Sequence, residues 1–294
     1  VISGSTVELA FTSACAGLAV FLDETEDGSH QLDACFRVLP TIRPAHVARS
    51  MTGDRRHRAA HSFGAWNRVI LARMAASENP SIFPLPNGPY VFKDPTTVSP
   101  CGILADSERK PIENQPYVAL CRCGGSKTKP FCDGSHLTNG FRSEKSADRT
   151  PDKRDDYAGR QIVIHDNRGI CAHSGECTSR LATVFRDDDE PWIDADGAQS
   201  RQIIATIQKC PSGALSYSVE NVEHADQDRP PNLVVSKNGP YCIEGGIELI
   251  GSEFADGASR EHYCLCRCGA SKNKPFCDGS HWDVNFDDST SKAT

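Results

Sequence analysis

Short runs of alternating apolar and polar residues are scattered along this chain, and a few stripes at helical spacing interrupt them. Tyr117-Val118-Ala119-Leu120, Tyr263-Cys264-Leu265, Gln161 to Ile164 and Leu215 to Val219 have the length and composition of strands. Ser200 to Lys209 reads as a helix that buries Ile203, Ile204 and Ile207. Towards the N-terminus, Ala59 to Ala76 sets Phe63, Trp66, Val69, Ile70 and Met74 at steps of three and four, again a helical stripe. Val7 to Leu22 is apolar enough to imitate a signal-peptide core, but it contains Glu8 and no Lys or Arg precedes it, so a buried helix is expected. The chain opens on Val1 rather than Met, which leaves room for residues upstream.

The pattern repeats itself. Leu120 to His136 (LCRCGGSKTKPFCDGSH) returns as Leu265 to His281 (LCRCGASKNKPFCDGSH), differing only at Gly125/Ala270 and Thr128/Asn273. Upstream of each copy stands the same tetrapeptide, Asn87 to Tyr90 and Asn238 to Tyr241. The charged stretch Ser143 to Asp156 and the stretch Glu223 to Pro231 read as linkers by composition. Four units follow: a helical region of unassigned role over 1–80, ended by the proline-broken PSIFPLPNGP; repeat units over 84–147 and 230–294; and a different unit over 157–222.

Composition narrows the class. Apolar residues make up 38% and aromatic residues 7%, with 23 Gly and 18 Pro, as in small loop-rich units whose thin cores need a metal or cluster. A net charge of −7 offers no basic face for nucleic acid. No run approaches the roughly 18 apolar residues of a membrane helix. Of 14 cysteines, nine fall into three clusters of metal-ligand type, which favours a metalloprotein of the reducing cytoplasm over a disulfide-bonded one. No dinucleotide or Walker fingerprint occurs, and no Ser/His/Asp or paired-carboxylate arrangement stands out. His57 and His61, four residues apart, read as a solvated or partly buried helix face.

Each repeat sets out three thiols and one imidazole: Cys121, Cys123, Cys132 and His136, then Cys266, Cys268, Cys277 and His281. Two thiolates one residue apart on an extended loop can grip one iron. Asp133, suited to capping a short helix, would bring Cys132 and His136 onto one face for a second iron. Gly124, Gly134, Gly269 and Gly279 would let the backbone approach inorganic sulfide. A tetrahedral zinc ion is the alternative such donors allow, although the Cys-x-Cys step is short for it. Cys264 aligns with Ala119 and reads as a spare buried thiol.

The pattern C-x-C-x2-S-x3-P-x-C-D-G-S-H, complete at 121–136 and 266–281, resembles the CDGSH iron–sulfur (NEET-type) signature. The resemblance implies a [2Fe–2S] cluster in each copy. One iron would sit on Cys121 and Cys123 and the other on Cys132 and His136, with Cys266/Cys268 and Cys277/His281 in the second. It also implies that the two β-rich units pair as an internal pseudo-dimer. One neutral imidazole in place of a thiolate raises a cluster's potential and leaves a ligand that protons compete for at mildly acid pH.

The unit over 157–222 resembles divergent monocluster ferredoxin domains through CAHSGEC, Pro191-Trp192 and CPSGAL. The match implies ligation by Cys171, Cys177 and Cys210. Ser174 stands where a further cysteine would be expected, so three thiolates suit a [3Fe–4S] cluster, while a [4Fe–4S] cluster completed by His173, Ser174, Glu176 or water stays open. The acidic run Asp187 to Glu190 reads as a solvated turn. The expected whole is an α+β multidomain iron–sulfur protein: a helical N-terminal region, two β-rich CDGSH units and a ferredoxin-like α/β unit between them. Its expected work is electron transfer to a redox partner protein, with cluster storage or transfer to an apo acceptor, or redox and pH sensing, as the alternatives.

Overall fold

A computed structural model describes residues 78–95 and 103–289. The predicted helices before residue 78, with His57 and His61, lie outside the described residues.

Three four-stranded sheets organise the chain. The first repeat supplies β1 (Ser81–Pro84), β2 (Tyr90–Lys93), β3 (Leu104–Ala105) and β4 (Tyr117–Leu120). The middle unit supplies β5 (Arg154–Ala158), β6 (Val163–Asn167), β7 (Leu215–Val219) and β8 (Val222–His224). The second repeat supplies β9 (Asn232–Val235), β10 (Tyr241–Glu244), β11 (Glu248–Leu249) and β12 (Tyr263–Leu265).

The two repeats exchange strands. One sheet runs β11-β1-β2-β4 and the other β12-β10-β9-β3, so each repeat lends its two-residue strand to the other's sheet in parallel pairing. The exchange builds one core from both copies. Ile82, Tyr90, Phe92, Leu104 and Leu120 pack with Leu233, Tyr241, Ile243, Leu249 and Leu265. Strands of two residues carry too little pattern to be read from sequence, which is why β3 and β11 were not anticipated.

At the centre of this core Tyr90 and Tyr241 meet edge to face, with centroids 5.9 Å apart. Each hydroxyl crosses to the opposite copy. That of Tyr90 lies 2.9 Å from the carbonyl oxygen of Cys266 and 3.0 Å from that of Pro275. That of Tyr241 lies at the same two distances from the carbonyls of Cys121 and Pro130. Each donates its single proton to a site where no water competes, so the repeated tetrapeptide fixes the opposite cysteine loop. Tyr90→Phe or Tyr241→Phe should therefore cost about 1–3 kcal/mol in denaturant unfolding, the penalty for stranding a buried carbonyl. A loss within error would show that these bonds do not hold the copies together.

The middle sheet is antiparallel in the order β5-β6-β7-β8. Glu220 and Asn221 both take positive φ (53° and 63°), the turn geometry that matches a two-residue hairpin between β7 and β8. Helices α1 (Glu176–Arg180) and α2 (Ser200–Ile207) complete the unit, with Ile203 and Ile207 of α2 buried beside Ile164 and Leu215. The α2 helix and β7 follow the predicted spans closely, whereas β6 starts two residues beyond the predicted Gln161. The linker reading is corrected at two ends: Arg154–Ala158 and Val222–His224 are edge strands. Their charged side chains suit an edge exposed to water, and that is what made them resemble linkers. The run 187–190 is an exposed turn, as expected.

Candidate metal centres

In each repeat the cysteine loop folds back along the strand that precedes it. Cys121 N–H donates to the Pro130 carbonyl at 2.8 Å, and Cys132 N–H donates to that of Ala119 at 2.8 Å. Cys266 with Pro275 and Cys277 with Cys264 repeat the arrangement at 2.8 and 2.9 Å. This return brings Cys132 alongside Cys121. Buried Ser126 and Ser271 brace the loop by donating to the Phe131 and Phe276 carbonyls at 2.6 and 2.7 Å.

The donors come as pairs. Sulfur atoms of Cys121 and Cys123 lie 4.0 Å apart, and Cys132 Sγ lies 3.4 Å from His136 Nδ1. The second copy gives 3.8 Å for Cys266 and Cys268 and 3.4 Å for Cys277 and His281. Among the described residues no three such side chains close on a single ion position. Each copy thus presents its four donors as two pairs, one of two cysteines and one of a cysteine and a histidine. Backbone N–H groups of Gly125, Gly134 and Ala270 point at Cys123, Cys132 and Cys268 sulfurs at 3.4 Å, which suits thiolate charge.

Titration follows that pairing. Donation from Cys121 holds the Cys123 thiol below its usual range, while the same contact and burial push Cys121 up. In the second copy the roles exchange, with Cys266 held low, to about 7, and Cys268 raised. Burial raises Cys132 and Cys277 and lowers His281.

One expectation about this loop changes and another is extended. Asp133 does not cap an α-helix: its carboxylate accepts from Ser135 N–H at 3.0 Å and from Lys127 N–H at 2.8 Å, and the turn that follows, Ser135–Leu137, is a single 3-10 turn. Asp278 holds Ser280 and Lys272 in the same way. Gly124 and Gly269 have a further role beyond the expected one, in the contact between the two loops. Both have positive φ, and a Cβ at either would stand 2.3 or 2.6 Å from the Cys268 or Cys123 carbonyl oxygen, so they let the two loops abut.

The middle unit gathers its three cysteines around a cavity of about 150 Å³. Cys171, Cys177 and Cys210 line it with His173, Ser174, Glu176, Asp166, Arg168 and Trp192. Cys171 and Cys177 arrive on the loop before α1 and on α1 itself, and Cys210 follows α2. Burial, then the neighbouring Cys210, pushes the Cys171 thiol up to about 12. His173 N–H faces Cys171 Sγ at 3.4 Å. Asp166, raised to about 6 by burial, pairs with Arg168 at 3.2 Å, and that guanidinium stacks 3.6 Å from the Trp192 ring centre. Sequence patterns missed Asp166 and Arg168, because neither belongs to a spaced motif.

The two differences between the repeats mark where the copies part ways. Asn273, in place of Thr128, donates to the Gly169 carbonyl of the middle unit at 2.7 Å and to Asp152 at 3.1 Å. Gly125, in place of Ala270, leaves room for the Asn139 amide nitrogen, which stands 2.7 Å from where a Cβ would lie. Asn139 is one of the groups that hold the Cys123 thiol low, and its register position in the second copy is Val284. The middle unit also touches the second copy at the ligand loop. The His173 ring packs over Gly279, Trp282 Nε1 donates to the His173 carbonyl at 3.0 Å, and Ala172 shares a buried layer with Cys264 and Cys277. His281 is 5% exposed, while His136 is only half-buried.

Among the described residues no helix is long and apolar enough to cross a membrane. Comparison with known proteins agrees with the two kinds of loop. The family described as iron-binding zinc finger of CDGSH type matches residues 87–137 and 238–282, and the divergent 4Fe-4S mono-cluster family matches 157–220. The uncharacterized protein YjdI of Escherichia coli strain K12 is 38% identical over 61 residues, 21% of this chain and 80% of that protein, and YjdI of strain O157:H7 matches equally. No solved structure matches significantly. The chain thus carries two iron-binding motifs of CDGSH type with a divergent 4Fe-4S mono-cluster domain between them.

Proposed function

We propose that the protein passes single electrons between a ferredoxin-like centre in its middle unit and two CDGSH centres, and from these to a redox partner protein. Cys121, Cys123, Cys132 and His136 would hold one [2Fe–2S] cluster, and Cys266, Cys268, Cys277 and His281 the other. Cys171, Cys177 and Cys210 would hold a [3Fe–4S] cluster, or a [4Fe–4S] cluster with one further ligand. When bound, each such cluster can take up and release one electron. The exchanged strands support the reading of the two CDGSH units as an internal pseudo-dimer, and the unpaired thiols suit the cytoplasm.

The observation that carries this reading is the seating of the middle ligand loop on the second CDGSH loop. Ala172, between Cys171 and His173, packs in one layer with Cys277, and Trp282 ties the two loops by a hydrogen bond. Storage or delivery of a cluster needs no such contact between two ligand loops. The half-buried His136 of the first copy is the feature that favours cluster release as a second reading.

Magnetic relaxation distinguishes them. Protein purified without oxygen should carry roughly seven or eight irons per chain. Reducing the second CDGSH centre should speed the electron-spin relaxation of the middle centre, and Cys277→Ala should abolish that effect while Cys132→Ala weakens it far less. Independent relaxation of the two centres, with intact clusters moving to an apo acceptor, would favour the second reading. Zinc in place of iron would overturn both.

A further inference from the structure

We propose that Cys242 and Cys264 form a dithiol–disulfide site, a two-electron redox centre beside the second CDGSH loop. Neither belongs to a ligand motif. They are directly opposed on the antiparallel strands β10 and β12, and their sulfur atoms lie 3.5 Å apart. Directly opposed residues of an antiparallel pair have Cα atoms roughly 4.5 or 5.5 Å apart. Both spacings fall within the roughly 4.4–6.8 Å that a disulfide spans, so the backbone need not move to close one.

The same register in the first repeat is occupied by Val91 and Ala119, also directly opposed. The sheet therefore packs without sulfur at this pair, and a thiol at both positions is not something the fold requires. Cys264 is 2% exposed and sealed against Ala172 and Cys277. Cys242 is only half-buried and has the Ser236 hydroxyl 3.2 Å from its sulfur. Cys242 is thus the less enclosed of the two, which suits it to be the attacking cysteine and Cys264 the resolving one.

The co-reactant is a low-molecular-weight disulfide. Cys242 thiolate attacks one of its sulfurs, forming a mixed disulfide and releasing one thiolate. Cys264 then attacks the Cys242 sulfur, closing the protein disulfide and releasing the second thiolate. The two protein protons pass to the two released thiolates, so one small disulfide is reduced to two thiols while the protein pair is oxidised by two electrons. In the reverse direction two thiols restore the dithiol.

The test uses the cluster-loaded full chain, held without oxygen in buffers of reduced and oxidised glutathione, then acid-quenched, alkylated and mapped by mass spectrometry. As the oxidised fraction rises, the Cys242–Cys264 cross-link should appear with the loss of two alkylatable thiols per chain, while cluster absorbance stays constant. Cys264→Ser should stop at a glutathione adduct on Cys242, and Cys242→Ser should leave Cys264 alkylatable. The double variant Cys242→Val with Cys264→Ala, which copies the first repeat, should fold, keep its clusters and form no cross-link. Alkylation of both thiols at every ratio would overturn the proposal, as would cross-links that form only when ligand cysteines lose their iron. Neither outcome depends on whether the clusters transfer electrons.

Discussion

Alanine at Cys171, Cys177 or Cys210 will empty the middle centre and leave both CDGSH centres loaded. The three thiols converge on one cavity from two loops and α1, and each is buried or half-buried there. Removing any one leaves two ligands for a group that needs three, whereas the CDGSH ligands sit on loops braced by their own hydrogen bonds. Ser174 lines the same cavity, so Ser174→Cys would offer a fourth thiolate to a cluster held there by Cys171, Cys177 and Cys210. On the proposed [3Fe–4S] assignment the variant should gain iron, replacing an EPR signal of the oxidised state with one of the reduced state. An unchanged nuclearity would mean that the native site is already [4Fe–4S]. Retention of the signal in all three alanine variants would remove Cys171, Cys177 and Cys210 from the ligand set.

Much of this arrangement could be read from the chain, because the chemistry repeats. The second appearance of C-x-C and C-D-G-S-H turned a weak motif into a ligand set, and β4, β7, β12 and α2 followed the hydrophobic pattern. What could not be read depended on contacts across long separations. The tetrapeptide ending in Tyr90 and Tyr241 was visible as a repeat, but its purpose lies on the opposite copy, 176 and 120 residues away. The charged edge strands β5 and β8 look like linkers because an edge exposed to water needs no apolar alternation. The most informative signal was already present and small. Gly125/Ala270 and Thr128/Asn273 are the only differences within the repeated loop, and the structure gives each a neighbour that its counterpart lacks.

Those differences lead to an ordering of potentials. The first CDGSH centre should be reduced at a higher potential than the second. In the first copy His136 is half-buried, and the Asn139 side chain, whose oxygen accepts from Phe141 N–H, turns its amide nitrogen towards the Cys123 loop. Water and an amide donor near a ligand sulfur both favour the extra negative charge of the reduced state. In the second copy His281 is 5% exposed and Val284 stands in the register of Asn139 with no donor to offer, while the cysteines are buried alike in both copies, Cys123 and Cys268 being the half-buried pair. Electrons entering from the middle unit would therefore meet the second centre first and run downhill to the first, where the histidine ligand is the more exposed of the two. EPR-monitored redox titration checks the order. Asn139→Val should lower the first potential and leave the second unchanged. His136→Cys and His281→Cys should each lower their own centre by roughly 100 mV or more, since two imidazoles raise a [2Fe–2S] potential by about 250 mV or more. Equal potentials in the native protein, or an Asn139→Val variant that moves neither, would sink the directional scheme while leaving the ligand assignment intact.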